Sequence, residues 1–303
     1  MLLITGGNGF LGSHLVNEAL NQKREILCPS SKELNLLNFK EVKQYINDNR
    51  IENIIHSAGY VGGIELHEEH PAGIASDNLN MGMNIIKGSS EQKNIRLIMI
   101  STICVYPKNG SIPLKEKDIH EGYPAEATGY YGYSKRMLHV LCEAYKKEHG
   151  LNYLTIIPTN LYGPNDNYEY EKSHVVSALI RRAHESKKNS SAHLKVWGNK
   201  KTSRDFLFAP DCAFWILKAL DSNLSGDILN FGSNKETTIE NLANTICDVV
   251  GYNGKLKWDS SKPIGANNRF LDISKVSTYI GYENLTNLEE GLRQTYKDYL
   301  TKL

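Results

Sequence analysis

The sequence of 303 residues predicts an α/β protein, a doubly wound parallel sheet with a smaller α+β lobe toward its carboxyl end. Three observations predict it. Short β-rich runs alternate with longer helical patterns through the first half, as parallel strands joined by crossover helices do. A glycine-rich turn, Gly6 to Gly12, separates the first run from the first helical pattern. After Asn160 the alternation gives way to the polar, turn-rich stretch LYGPNDNYEYEKSH, so the regular sheet is expected to end near there.

In chain order, the strands are expected at LLIT, REILC, ENIIHSA, RLIMIST and NYLTIIP. The helices between them are expected at Gly12 to Leu20, Asn38 to Asn49, Ala75 to Ser90 and Tyr131 to His149. In the last, Met137, Leu138, Leu141, Ala144 and Tyr145 recur at helical spacing, and Gly150 follows Lys146 and Lys147 as a stop. Beyond Asn160, LKVWG and DILNFGS read as strands. DCAFWILKAL, TTIENLANTICDVV and NLEEGLRQTYKDYL read as helices, the second with a Thr237/Glu240 capping box. Asp211 is expected to cap the helix that follows it. The expected division is a Rossmann-type dinucleotide-binding domain over 1–160 plus about 206–233, and a substrate lobe over about 161–205 and 234–303. A ligand is expected in the cleft between them.

Composition narrows the function classes. Thirty-five Lys and Arg against 34 Asp and Glu leave a net charge of +1, so no global field recruits nucleic acid or an acidic membrane, and an anionic ligand must be met locally. Cys28, Cys104, Cys142, Cys212 and Cys247 stand singly, without the paired spacing of a disulfide framework or a zinc cluster. With no leader-like start and no apolar stretch of membrane-spanning length, a reduced, cytoplasmic protein is the expectation.

The stretch ITGGNGFLG carries Gly6, Gly9 and Gly12 directly after a strand and at the opening of a helix. Backbone amides there approach a pyrophosphate only where no Cβ intervenes, and the helix dipole favours the anion. The end of the second strand decides which dinucleotide is expected. A carboxylate there would take the ribose 2'-hydroxyl of NAD. The sequence instead reads CPSSKELN, with Ser30, Ser31 and Lys32 ahead of Glu33, a set that suits the 2'-phosphate of NADP.

YYGYSK sets Tyr131 and Lys135 four residues apart, on one helix face. An ammonium about 4 Å from the phenol, at an effective dielectric near 20, is worth roughly 4 kcal/mol, enough to draw a tyrosine from about 10 toward 7. Such a group donates a proton to a carbonyl that receives hydride. The pair follows the fourth strand and its hydroxyl-rich end, Ser101 and Thr102.

The glycine turn, the strand-end hydroxyl and the Tyr/Lys pair together resemble the extended short-chain dehydrogenase/reductases. Within them, VGGI at 61–64, CVYP at 104–107, PTNLYGPNDN at 158–167, SHV with ALIRR at 173–182, and VWG with SRDFL at 196–207 are similar to the GDP-L-fucose synthase family. Those enzymes epimerise a GDP-linked 4-keto sugar at C3 and C5 and then reduce the ketone with NADPH. The resemblance implies Tyr131, Lys135 and Thr102 as the reducing group and Cys104 with His174 as the epimerising pair. It implies cofactor contacts from Gly6, Asn8, Gly9, Phe10, Leu11 and Gly12, from Ser31 and Lys32, from Ala58 and Gly59, and from Pro158, Asn160 and Leu161, with Lys135 and His174 completing them. For the substrate it implies Arg182, Arg204 and Arg269 on the diphosphate and Trp197 on the base or sugar, with Arg181 a solvated neighbour. It also implies a homodimer through the helices at Ala75 to Ser90 and Tyr131 to His149.

Thr102, Ile103 and Ser31 depart from the usual family residues. Reductases of GDP-4-keto-6-deoxy-heptoses, working after a separate epimerase, resemble the same family, and in that alternative the Cys104/His174 pair is kept without being used. A dinucleotide-sensing protein without catalysis is the other alternative, and the intact Tyr131/Lys135 pair speaks against it.

Overall fold

A computed structural model describes residues 1–92, 94–170, 173–259 and 268–303. The chain opens with β1 (Leu2–Thr5), α1 (Phe10–Asn21), β2 (Ile26–Leu27), α2 (Phe39–Asp48), β3 (Asn53–His56) and α3 (Ile64–Glu69). It continues through α4 (Pro71–Ser90), β4 (Arg96–Ile100), α5 (Gly129–His149), β5 (Asn152–Pro158), β6 (Asn160–Tyr162) and α6 (Val175–Lys188). Then come β7 (His193–Trp197), β8 (Ser203–Phe208), α7 (Ala209–Leu220), β9 (Asp227–Phe231), β10 (Glu236–Thr238) and α8 (Ile239–Val250). The last elements are β11 (Lys255–Asp259), β12 (Asn268–Arg269), α9 (Ser274–Ile280) and α10 (Leu288–Thr301).

Six parallel strands form the main sheet in the order β2-β1-β3-β4-β5-β9. Its central strands are apolar on both faces because helices cover both: RLIMI of β4 is buried throughout. On one face Leu15 and Ala19 of α1 meet Ile216 and Leu217 of α7; on the other Val42 and Ile46 of α2 meet Ile85 and Ile86 of α4. The strand order reverses at β1, between β2 and β3, and the carboxyl ends there open into the cleft expected of such a sheet. A mixed sheet around β8, with β6, β10 and β12, and the parallel pair β7 and β11 build the second layer system. Its core gathers Val176 and Ile180 of α6, Leu242 and Ile246 of α8 and Leu292 of α10.

Several local readings are corrected. The cap of α8 is Thr238, whose hydroxyl accepts from the Asn241 amide, because Thr237 is held in β10 opposite Arg204; the Thr237/Glu240 box does not form. Asp211 caps no helix. It lies inside α7 and accepts from the Thr286 amide and hydroxyl at 2.6 and 2.9 Å, tying α7 to the segment before α10. Only Ile26 and Leu27 of REILC pair as a strand. Gly150 does end α5, in the left-handed conformation at φ 73°.

Candidate active site

The glycine turn is shaped by close approach. Gly6 sits at φ +71°, and a Cβ there would lie 2.6 Å from the Ala58 Cα at the end of β3. A Cβ on Gly12 would overlap the Gly6 carbonyl, so the first turn of α1 rests directly on the loop. Gly9 caps α1 with no side chain to occupy its amides, which is what an incoming phosphate needs. After β2, the Ser30 amide and hydroxyl both donate to the Glu33 carboxylate at 2.8 Å and hold it below the usual carboxylate range. Glu33 is thereby tied to its own loop. Ser30 and Ser31 border the cleft, while Lys32 and Glu33 do not. The cradle fits a dinucleotide, and this loop offers it hydroxyls rather than a carboxylate.

The cleft is one cavity of about 1390 Å³. Its floor carries Gly6, Asn8, Gly9, Phe10, Leu11 and Gly12, with Ala58, Gly59, Pro158, Asn160 and Leu161 following at the strand ends. Asn160 is oriented by a bond from its side-chain amide to the Asp205 carbonyl, 3.0 Å.

At the end of β4 the chain is pinned residue by residue. Thr102 Oγ1 accepts from the Cys104 amide at 3.2 Å and caps the short helical turn Ile103–Val105. Arg269 Nη1 donates to the Ile103 carbonyl at 3.0 Å, Arg136 donates to the Val105 carbonyl, and a Cβ on Gly132 would overlap the Cys104 carbonyl. These ties present Thr102 and Cys104 to the cavity, where Tyr131 also emerges.

Tyr131 and Lys135 share the inner face of α5, as their spacing requires, but the electrostatic expectation is corrected. Burial pushes the Tyr131 phenol up, not down, with the nearby Cys104 thiol adding to the effect. Lys135 lies behind the cavity wall, 4% exposed; its Nζ donates to the Ile100 carbonyl at 3.1 Å and stands 5.8 Å from the Tyr131 ring centre. Burial draws the lysine down to about 8. Desolvation outweighs the charge pair because both groups are removed from water. His139, hydrogen-bonded to Ser101 at 2.7 Å, and His56, paired with Thr5 at 2.8 Å, flank this compartment; burial holds both at about 3, so both are neutral.

Across the cavity, His174 precedes α6 and is 47% exposed, its Nδ1 at 3.3 Å from Asp166 Oδ1. That bond raises the imidazole above its ordinary value. Asp166 is buried and also accepts from the Ser177 hydroxyl and the Asn167 amide. Arg182, Arg204 and Arg269 border the same cavity. Arg182 stacks on Trp197 at 3.8 Å, and Arg204, drawn down to about 10 by burial and then by Arg269, donates to the Ser203 carbonyl. Arg181 is not solvated: it is 5% exposed, lies 3.5 Å over the Tyr170 ring and donates to the Tyr168 carbonyl.

Residues 2–232 match the NAD dependent epimerase/dehydratase family. A GDP-L-fucose synthase from Azorhizobium caulinodans is 35% identical over 99% of this chain and 96% of that protein. The chain belongs to the GDP-L-fucose synthase family. A GDP-L-fucose synthetase from Naegleria fowleri bound to NADP is similar in structure, with TM-score 0.91, 26% identity and coverage of 99% of this chain and 92% of that one. A GDP-6-OMe-4-keto-L-xylo-heptose reductase from C. jejuni shares the fold at TM-score 0.91 and 23% identity, covering 100% and 98% of the two chains.

Three residues that position this family site escaped the sequence reading. Asp166 sits in the turn-rich stretch eight residues before His174, and only the fold brings the two together. Arg136, next to Lys135, belongs to no motif read in the sequence, yet it is buried against the Cys104 turn. Asn78 on α4 holds both the amide and the carbonyl of Tyr60, fixing the loop after β3.

Proposed function

We propose that this chain reduces the C4 ketone of a GDP-4-keto-6-deoxy sugar with NADPH, after epimerising C3 and C5 at the same site. The observation that carries the reading is that Tyr131, Thr102 and Cys104 border one cavity together with the glycine cradle and three arginines. The glycine cradle, with Ser30 and Ser31 for a 2'-phosphate, would hold NADPH, which would supply the hydride. Tyr131 then donates its proton to the ketone oxygen, which Thr102 also holds. The phenol holds its proton throughout the neutral range, as a proton donor must before the transfer.

For epimerisation the 4-keto group acidifies the protons on both neighbouring carbons. Cys104 and the Asp166-oriented His174 border the cavity and act as the acid and base on opposite faces of the ring. Arg182, Arg204 and Arg269 take the diphosphate, a contact arginine makes in bidentate fashion. Trp197, backed by Arg182, offers a flat surface to the guanine or the sugar.

The test is NADPH oxidation on adding GDP-4-keto-6-deoxy-mannose. Its pH dependence follows from Lys135. The lysine's value is depressed, so its charge is complete well below pH 8 and is lost as pH rises through about 8. kcat/KM is expected to fall along that limb. Lys135→Arg, which keeps its charge, is expected to flatten the limb among whatever activity survives.

We further propose a homodimer. Tyr130, Tyr133, Met137 and Val140 form an exposed apolar stripe along α5, and exposed Met83 adds to it from α4, which packs alongside. Met137→Asp is expected to convert the dimer to a monomer in light scattering; an unchanged mass would place the interface elsewhere.

A further inference from the structure

The wall beside Tyr131 contains a histidine that neither the reduction nor the epimerisation above employs. His67 lies on α3, just after the Gly62–Gly63 turn; it is 7% exposed and borders the cavity. Its ring centre stands 5.6 Å from that of Tyr131, inclined at 56°. Packing alone does not account for an imidazole there. A leucine or phenylalanine would cover the phenol equally well, and burying an imidazole costs free energy unless its nitrogens have partners. Burial lowers His67 below its ordinary value, so the ring is neutral at neutral pH. A neutral imidazole carries a proton on one nitrogen and an acceptor lone pair on the other.

The position of that acceptor bears on the substrate. To protonate the ketone, the Tyr131 hydroxyl must come within about 2.6 to 3.2 Å of the sugar's O4. A ring packed against that phenol therefore lies beside the substituents on a carbon next to C4. Of the two carbons that flank the ketone of a 4-keto-6-deoxyhexose, only C3 carries a hydroxyl. We propose that His67 is a specificity-determining residue that accepts a hydrogen bond from the substrate's C3 hydroxyl.

This rests on the reduction proposed above, and the test separates the two. NADPH oxidation is measured with GDP-4-keto-6-deoxy-mannose and with its 3-deoxy counterpart, for the parent protein, His67→Phe and His67→Asn. The phenylalanine keeps a ring against Tyr131 and removes the acceptor; the asparagine restores one. His67→Phe is expected to lose about 10- to 100-fold in kcat/KM on the hydroxylated sugar and no more than about threefold on the 3-deoxy sugar, with His67→Asn in between. Equal losses on both sugars would reduce His67 to a packing residue and overturn the proposal, as would no loss on either. His67→Leu repeats the comparison with another side chain that lacks an acceptor, should the phenylalanine variant fail to fold. A parent protein that oxidises NADPH with neither sugar overturns the reduction itself, and this role with it.

Discussion

Tyr131→Phe is expected to lower kcat for ketone reduction by about 10² to 10⁴, or about 3 to 5 kcal/mol of barrier, while NADPH affinity stays within about twofold. The substitution removes one oxygen from a buried ring that keeps its place between His67 and the Cys104 turn. The cradle of Gly6 to Gly12 lies on another element and is untouched. Equal losses in affinity and turnover would mean that the ring only shapes the cavity. Unimpaired turnover would remove Tyr131 from the chemistry altogether.

The second large effect concerns exchange at carbon. Incubated with GDP-4-keto-6-deoxy-mannose in deuterium oxide, without cofactor, the parent protein is expected to place deuterium at C3 and C5. Cys104→Ser and His174→Asn are each expected to suppress that label by at least about 10² while retaining NADPH binding. His174 depends on its partner: Asp166 holds the imidazole and raises its value, so Asp166→Asn is expected to weaken exchange in the same direction. Label absent from the parent protein would make this chain a reductase only, as the heptose alternative requires.

Much of the main sheet was legible from local pattern. The turn of α1 could be read because a residue with a Cβ cannot rest on the Gly6 carbonyl, and the end of α5 because Gly150 takes a left-handed conformation. The second layer was less visible. β6, β8, β10 and β12 are two to six residues long and pair across large sequence separations, and such strands carry no periodicity of their own. Helix α3 has six residues, too few to show a face, and with it the neighbour of Tyr131 went unread. Spacing brought Tyr131 and Lys135 together but held no information about solvent. Desolvation, which only the packed fold supplies, reversed the expected direction for the phenol. Arg181 and Arg182, adjacent in sequence, face opposite surroundings for the same reason: one is sealed against Tyr170 and the other borders the cavity.

The fate of one hydrogen tests the account most directly. With NADPH deuterated at the transferring position and GDP-4-keto-6-deoxy-mannose as substrate, the reduced sugar should carry deuterium at C4, one atom for each NADPH consumed, as seen by NMR and mass spectrometry of the product. Product bearing only solvent hydrogen at C4, or a sugar returned with its ketone intact while cofactor remains reduced, would contradict the assignment of this cavity to hydride transfer.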